Sequence, residues 1–260
     1  MLYDVEAALT YTFPSLCEVL LMVGAAHGPD QVVHSEALTF WPPVEAVHPA
    51  DPLNFERRTV FQAKGQVQAL YRATVEVQAR GQIDADAPAP AIRNLPADVL
   101  PFLRPSRYCP SDRLEAFVDR QFGELNGGAK VLAMMDWIAR HIEYRPGSSH
   151  SATTAVDTLV DRAGVCRDFS HLLIALCRAA DIPARAVSGY AWSLEPPDMH
   201  AVAEVFVAGR WVLLDPSGLA PIDGLVRVAT GRDAADIAFM TVFGYAELVE
   251  QSFSIARRDV

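Results

Sequence analysis

Cysteine is scarce in this sequence, with four residues in 260, at positions 17, 109, 166 and 177. No Cys-x-x-Cys pair occurs, which argues against a cysteine-based zinc site and a redox dithiol. Basic residues are also in deficit, with 22 Lys and Arg against 32 Asp and Glu, a formal net charge of -10. A nucleic-acid partner is disfavoured, because binding phosphates calls for a basic surface. No apolar run is long enough for a membrane. Leu16 to Ala26 is broken by Glu18 and falls short of a bilayer span. The start, Met1-Leu2-Tyr3-Asp4-Val5-Glu6, is acidic and lacks the basic segment of a signal peptide. No internal repeat is visible. These absences lead to the expectation of a cytoplasmic protein with reduced thiols, no membrane association, and neither metal nor cofactor. Cys166 and Cys177 would share one helix roughly 16 Å apart, too far to bridge.

What is present divides into two characters. Residues 1–105 read as a β-rich N-terminal domain, sandwich-like, of short strands punctuated by turn signals. Candidate strands are Ala8 to Phe13, Cys17 to Val23, Gln31 to Trp41, Thr59 to Ala63 and Gln66 to Gln78, with Lys64-Gly65 read as a hairpin turn. Pro42 to Pro52 reads as a loop, and Gly81 to Pro110 as a Pro/Ala-rich linker or crossing segment. Residues 106–260 turn helical and then mixed. Helices are expected from Ser111 or Asp112 to Phe122, ended by Asn126-Gly127-Gly128, then over Ala129 to Tyr144, Ala155 to Arg162, and from Cys166 to Asp181-Ile182-Pro183. Phe169, Leu172, Leu173, Leu176 and Ala180 form a helical stripe on the last of these. Strands follow at Ala184 to Tyr190, Ala201 to Val207 and Trp211 to Asp215.

The chemistry gathers at Gly164-Val165-Cys166-Arg167-Asp168-Phe169. A thiol needs ionising to act as a nucleophile, and a helix start favours the thiolate through its unpaired N–H groups and dipole. A histidine must take the thiol proton. His171 shares the helix but faces well away from the thiol; spacing alone leaves His141 and His150 open. His200 is favoured by register. If Ala208-Gly209 is a two-residue turn, Phe206 pairs with Trp211, Glu204 with Leu213 and Val202 with Asp215. His200 and Asp215 then sit diagonally on one face, roughly 7–8 Å apart at the backbone. Asp215 can orient the imidazole and stabilise its cation. Glu204 shares that face and reads as a solvated or supporting carboxylate, Cys177 as a small buried hydrophobe, and Tyr190 and Trp192 as either cleft or core aromatics.

The run from Gly164 to Phe169, with Leu172 to Arg178, Asp181-Ile182-Pro183-Ala184-Arg185 and Val187-Ser188-Gly189-Tyr190, resembles the core of the transglutaminase-like superfamily. His200-Ala201-Val202-Ala203-Glu204-Val205 and Trp211-Val212-Leu213-Leu214-Asp215-Pro216 are similar to its histidine and aspartate motifs. The resemblance covers residues 106–260 strongly and extends to bacterial cysteine-peptidase members. It implies an α+β fold with a papain-like core, helices packed on an antiparallel sheet, and a triad carried here by Cys166, His200 and Asp215. Neither the zinc site of the peptide-deglycosylating branch nor the calcium sites of animal transglutaminases are matched. The Cys166 backbone N–H is one expected oxyanion donor; no residue is identified for the second. The expected activity is cysteine-dependent acyl transfer on a peptide or protein substrate through a thioester, with hydrolysis ahead of transglutamination and of a non-catalytic binding role. No oligomer is indicated, although an exposed sheet edge in the front domain is where a second chain would pair.

Overall fold

The computed structural model describes residues 1–49 and 56–258. Its first strands are long. β1 (Leu2–Gly24), β2 (Gln31–Trp41), β3 (Ala46–Val47) and β4 (Arg57–Val77) form one antiparallel sheet. Period-two burial explains the pairing: Tyr3, Val5, Ala7 and Leu9 on β1 and Val67, Ala69, Tyr71, Ala73 and Val75 on β4 all point inward. The hairpin expected at Lys64-Gly65 does not form, because β4 runs straight through it. Phe13 pairs with Gly65 and Cys17 with Ala63, so β1 carries the surplus residues of a bulge. Gly65, at φ +73°, supplies the left-handed backbone opposite that bulge. The last part of the expected Pro42–Pro52 loop lies outside the described residues.

The Pro/Ala-rich segment is anchored as it crosses to the helical part, where Gly128 N–H donates to the Ala87 carbonyl at 2.8 Å. Helices α1 (Glu115–Phe122) and α2 (Gly127–His141) follow. Asn126 and Gly127, expected to end a helix, instead begin α2, with the Asn126 side chain accepting from Gly127 N–H at 2.8 Å. Next come β5 (Glu143–Tyr144), α3 (Ala155–Asp161), β6 (Ala163–Gly164) and α4 (Cys166–Ala179). α4 is central. Its stripe predicts one buried side, but every residue from Asp168 to Arg178 is buried. The second sheet lies against it, and α1, α2 and α3 close over it. Arg178, inside this packing, donates to the carbonyls of Arg104, Ala184 and Arg232, so its charge is not left unsatisfied.

The second sheet is antiparallel, in the order β10 (Leu225–Gly231), β7 (Ala184–Ala191), β8 (Met199–Val207), β9 (Arg210–Leu214). The β8–β9 hairpin pairs Val207 with Arg210, Phe206 with Trp211 and Glu204 with Leu213. After α5 (Ala234–Ile237) the chain crosses back. β11 (Met240–Phe243) and β12 (Glu247–Arg258) both pair with β1, completing a six-stranded sheet. The result is a mixed α+β fold of antiparallel sheets around α4. Among the described residues no helix is long and apolar enough to cross a membrane.

A buried ionic chain joins the two sheets. Glu204, expected to be solvated or to support the site, is 2% exposed and accepts from Arg185 at 2.6 Å and Arg227 at 2.5 Å. Arg227 also reaches Asp30 at 2.7 Å, and Arg80 reaches Asp30 at 2.8 Å. Each carboxylate has two cationic partners, which is how such charges are tolerated away from water.

Ala208 and Gly209 both have positive φ, +49° and +75°. A two-residue hairpin turn with both residues left-handed matches strand twist, but alanine adopts that region at a cost that asparagine largely escapes. Ala208→Asn is therefore expected to stabilise the protein by about 0.5–1 kcal/mol, read from the urea midpoint; a loss of stability would contradict the turn assignment.

Candidate active site

Cys166 opens α4 from an extended Val165 (φ −111°, ψ −179°). The Asp168 carboxylate folds back to accept the Val165 N–H at 2.9 Å, satisfying a donor at the helix start. Asp168 is fully buried and pairs with the Arg167 guanidinium at 3.2 Å. Arg167 also donates to the His150 carbonyl at 3.0 Å. These two residues, flanking in the sequence, thus clamp the helix start to the loop before it.

The hairpin register brings His200 and Asp215 together. His200 Nε2 lies 2.9 Å from Asp215 Oδ2, and both side chains are buried. Asp215 Oδ1 accepts from Ser217 N–H at 2.9 Å and from Ser217 Oγ at 2.6 Å, and Oδ2 also accepts from Ala220 N–H at 3.1 Å. Burial opposes the Asp215 charge, but His200 and these donors overcome it and hold the carboxyl below the usual range. An ionised Asp215 makes Nε2 the donor, which leaves Nδ1 for the Cys166 thiol. Nδ1 has no hydrogen-bond partner among the described residues. Burial alone would lower the His200 pKa, yet Asp215 and then Cys166 reverse this and raise it to about 9.

A fourth residue joins the thiol. β5 and β6 pair in parallel, setting Tyr144 opposite Gly164, just ahead of Cys166. Tyr144 lies near Cys166, and its pKa is raised by burial and then by Cys166. The sequence offers no spacing signal for this, since the pairing spans the whole of α3.

The other candidates lie elsewhere. His171 is buried, stacked on Tyr108 at 5.2 Å, and its Nε2 accepts the Ala234 N–H at 3.1 Å. His141 stacks on Trp137, and His150 Nδ1 accepts from Ala152 N–H. Tyr190 is a core residue that donates to the Val23 carbonyl at 2.6 Å, and Trp192 packs near Tyr3. Cys177 is fully buried against Met134, and burial pushes its thiol up to about 12. All four cysteines are free.

Cys166 and His200 open onto a cleft of about 400 Å³ whose walls include Tyr108, Asp198, Phe239 and Met240. Met240 belongs to β11 and Gln251, also on the wall, to β12, so part of the cleft comes from the first sheet.

A folded-state pKa raised to about 9 exceeds the ordinary histidine value of about 6.5. The folded protein then binds the His200 proton more tightly than the unfolded chain. The stability this gives is complete below about pH 6.5 and disappears as pH rises through about 9. The urea-midpoint difference between the natural protein and His200→Gln is expected to shrink from about pH 6 to about pH 10; a difference that grows over this range would contradict the coupling.

The fold has counterparts among known proteins. The transglutaminase-like superfamily model matches residues 115–216. A crystal structure from Cytophaga hutchinsonii, titled a "putative cysteine protease", has a TM-score of 0.93 and 39% sequence identity, covering 100% of this chain and 91% of that one. An uncharacterized protein of Mycobacterium leprae is 31% identical over 149 residues, 52% of this chain and 52% of its own length. One from Mycobacterium tuberculosis is 38% identical over 109 residues, 36% of this chain and 35% of its own. The match thus spans about half of the first of these curated relatives and about a third of the second. The near-complete correspondence with the Cytophaga structure and the family match across the segment holding Cys166, His200 and Asp215 establish that the chain belongs to the transglutaminase-like superfamily.

Proposed function

We propose that this protein is a cysteine-dependent acyl-transfer enzyme that hydrolyses a peptide or amide bond. The observation that carries the reading is the buried His200–Asp215 pair at 2.9 Å, whose free ring nitrogen is left for the Cys166 thiol. Asp215 fixes the ring and offsets its positive charge. His200, with its proton affinity raised, takes the thiol proton. The Cys166 sulfur attacks the substrate carbonyl carbon, and the carbonyl electrons move onto oxygen. The Cys166 N–H and the Tyr144 hydroxyl are the donors for that oxyanion. When the intermediate collapses, the carbon–nitrogen bond breaks, and the leaving amine takes its proton from His200. A thioester on Cys166 remains. Water, giving a proton to His200, attacks the thioester, releases the carboxylic acid and restores the thiol.

Support comes from the placement of the groups. Cys166 is partly exposed on a cleft, whereas Cys177 on the same helix is sealed in the core. The acyl acceptor is tested by incubating glutamine-containing peptides with and without a primary amine. Free acid as product in both cases supports hydrolysis, whereas amine incorporation replaces it with transamidation.

Cys166→Ala is expected to abolish turnover while leaving the circular-dichroism spectrum intact, and residual turnover would overturn the nucleophile. Iodoacetamide is expected to label Cys166 well ahead of Cys177, read by peptide mass mapping. Tyr144→Phe removes one oxyanion donor and should lower kcat by roughly 10²-fold, with a smaller effect on KM. An unchanged kcat would remove Tyr144 from the mechanism.

A further inference from the structure

Ser188, on β7, lines the same cleft as Cys166 and His200. It is 6% exposed, and its hydroxyl is buried with no hydrogen-bond partner among the described residues. Its cross-strand neighbours are Ala201 on β8 and Ala229 on β10, whose methyl groups neither donate nor accept. An alanine at this position would occupy nearly the same space without burying a hydroxyl, and native interiors seldom leave such a group unpaired. Nearby, Ala234, Ile237, Ala238 and Phe239 make the cleft wall apolar. A hydroxyl on one rotatable bond, set in that wall, can meet the polar end of a group lodged there.

We infer that Ser188 is a specificity-determining residue, whose hydroxyl hydrogen-bonds the uncharged polar end of a substrate side chain held in the apolar part of the cleft. The inference rests on Cys166 being the reactive thiol. An uncharged end is required because a lone hydroxyl among apolar groups does not balance a buried charge. The cleft's cationic groups do not alter this, since Arg167 is occupied by Asp168, Ser149 and the His150 carbonyl, and His200 by Asp215. Asp198, also on the wall, caps its own chain by accepting from Met199 N–H.

The test uses peptidyl chloromethyl ketones on the full chain, so that recognition is read without turnover. The sulfur displaces chloride, forming a carbon–sulfur bond as the carbon–chlorine bond breaks and the thiol proton leaves through His200. The residue next to the ketone is varied in near-isosteric pairs, leucine with asparagine and phenylalanine with tyrosine. Labelling rates at Cys166 are divided by the iodoacetamide rate of the same variant. The natural protein is expected to favour the polar member of at least one pair. Ser188→Ala should reduce that ratio roughly ten-fold, the size of one buried hydrogen bond, and Ser188→Thr, which keeps the hydroxyl, should retain it. No polar preference in the natural protein, or an unchanged ratio in Ser188→Ala, as when an internal water satisfies the hydroxyl, overturns the assignment. A Cys166 inert to iodoacetamide overturns the thiol reading, and this inference falls with it.

Discussion

The register of one hairpin governs the site. Ala208 and Gly209, both left-handed, close the turn between β8 and β9 and set Phe206 opposite Trp211. From that point the pairing runs to Ala203 and Leu214, and just beyond it His200 and the Asp215 carboxylate meet at 2.9 Å. Side chains alternate along a strand, so a slip of one position would send His200 and Asp215 to opposite faces. The turn is therefore as much a part of the site as the residues that line the cleft. It acts at a distance, through backbone pairing alone.

Buried charge secures what the turn aligns. Asp168 holds the start of α4 by its bond to the Val165 N–H and by pairing with Arg167. Glu204, on the same strand as His200, is held between Arg185 and Arg227, and Arg227 continues through Asp30 to Arg80. Breaking one member of such a chain strands a charge away from water, which is why these residues resist independent movement. The strand that presents the histidine is thereby locked to the first sheet. The proposed thiol chemistry depends on this rigidity, because proton transfer between Cys166 and His200 requires a fixed approach.

The cleft has a composite origin. Cys166 and His200 come from the helical and second-sheet part of the chain, while Met240 and Gln251 arrive on strands that close the first sheet. The front sheet therefore does more than support the fold, since its added strands form part of the cleft wall. Ser188 sits where these parts meet, a buried hydroxyl within an apolar wall.

Local signals in the sequence were enough for α4, for the strands around His200, and for the β8–β9 register, because helix starts, period-two alternation and a two-residue turn are encoded by neighbouring residues. They also separated Cys166, at a helix start, from Cys177, on the buried stripe. They misread Lys64-Gly65, where a positive-φ glycine serves a bulge in a long strand and not a hairpin, and they left Glu204 open between a solvated and a supporting carboxylate, because its partners Arg185 and Arg227, which bury it, come from neighbouring strands. Tyr144 was invisible for the same reason, since its place beside Cys166 depends on the β5–β6 pairing. What the sequence determined by itself was the local frames that present the proposed thiol, imidazole and carboxylate. Only the tertiary structure decided which groups surround them, because long-range pairing depends on how whole elements pack and leaves no periodicity between residues far apart in the chain.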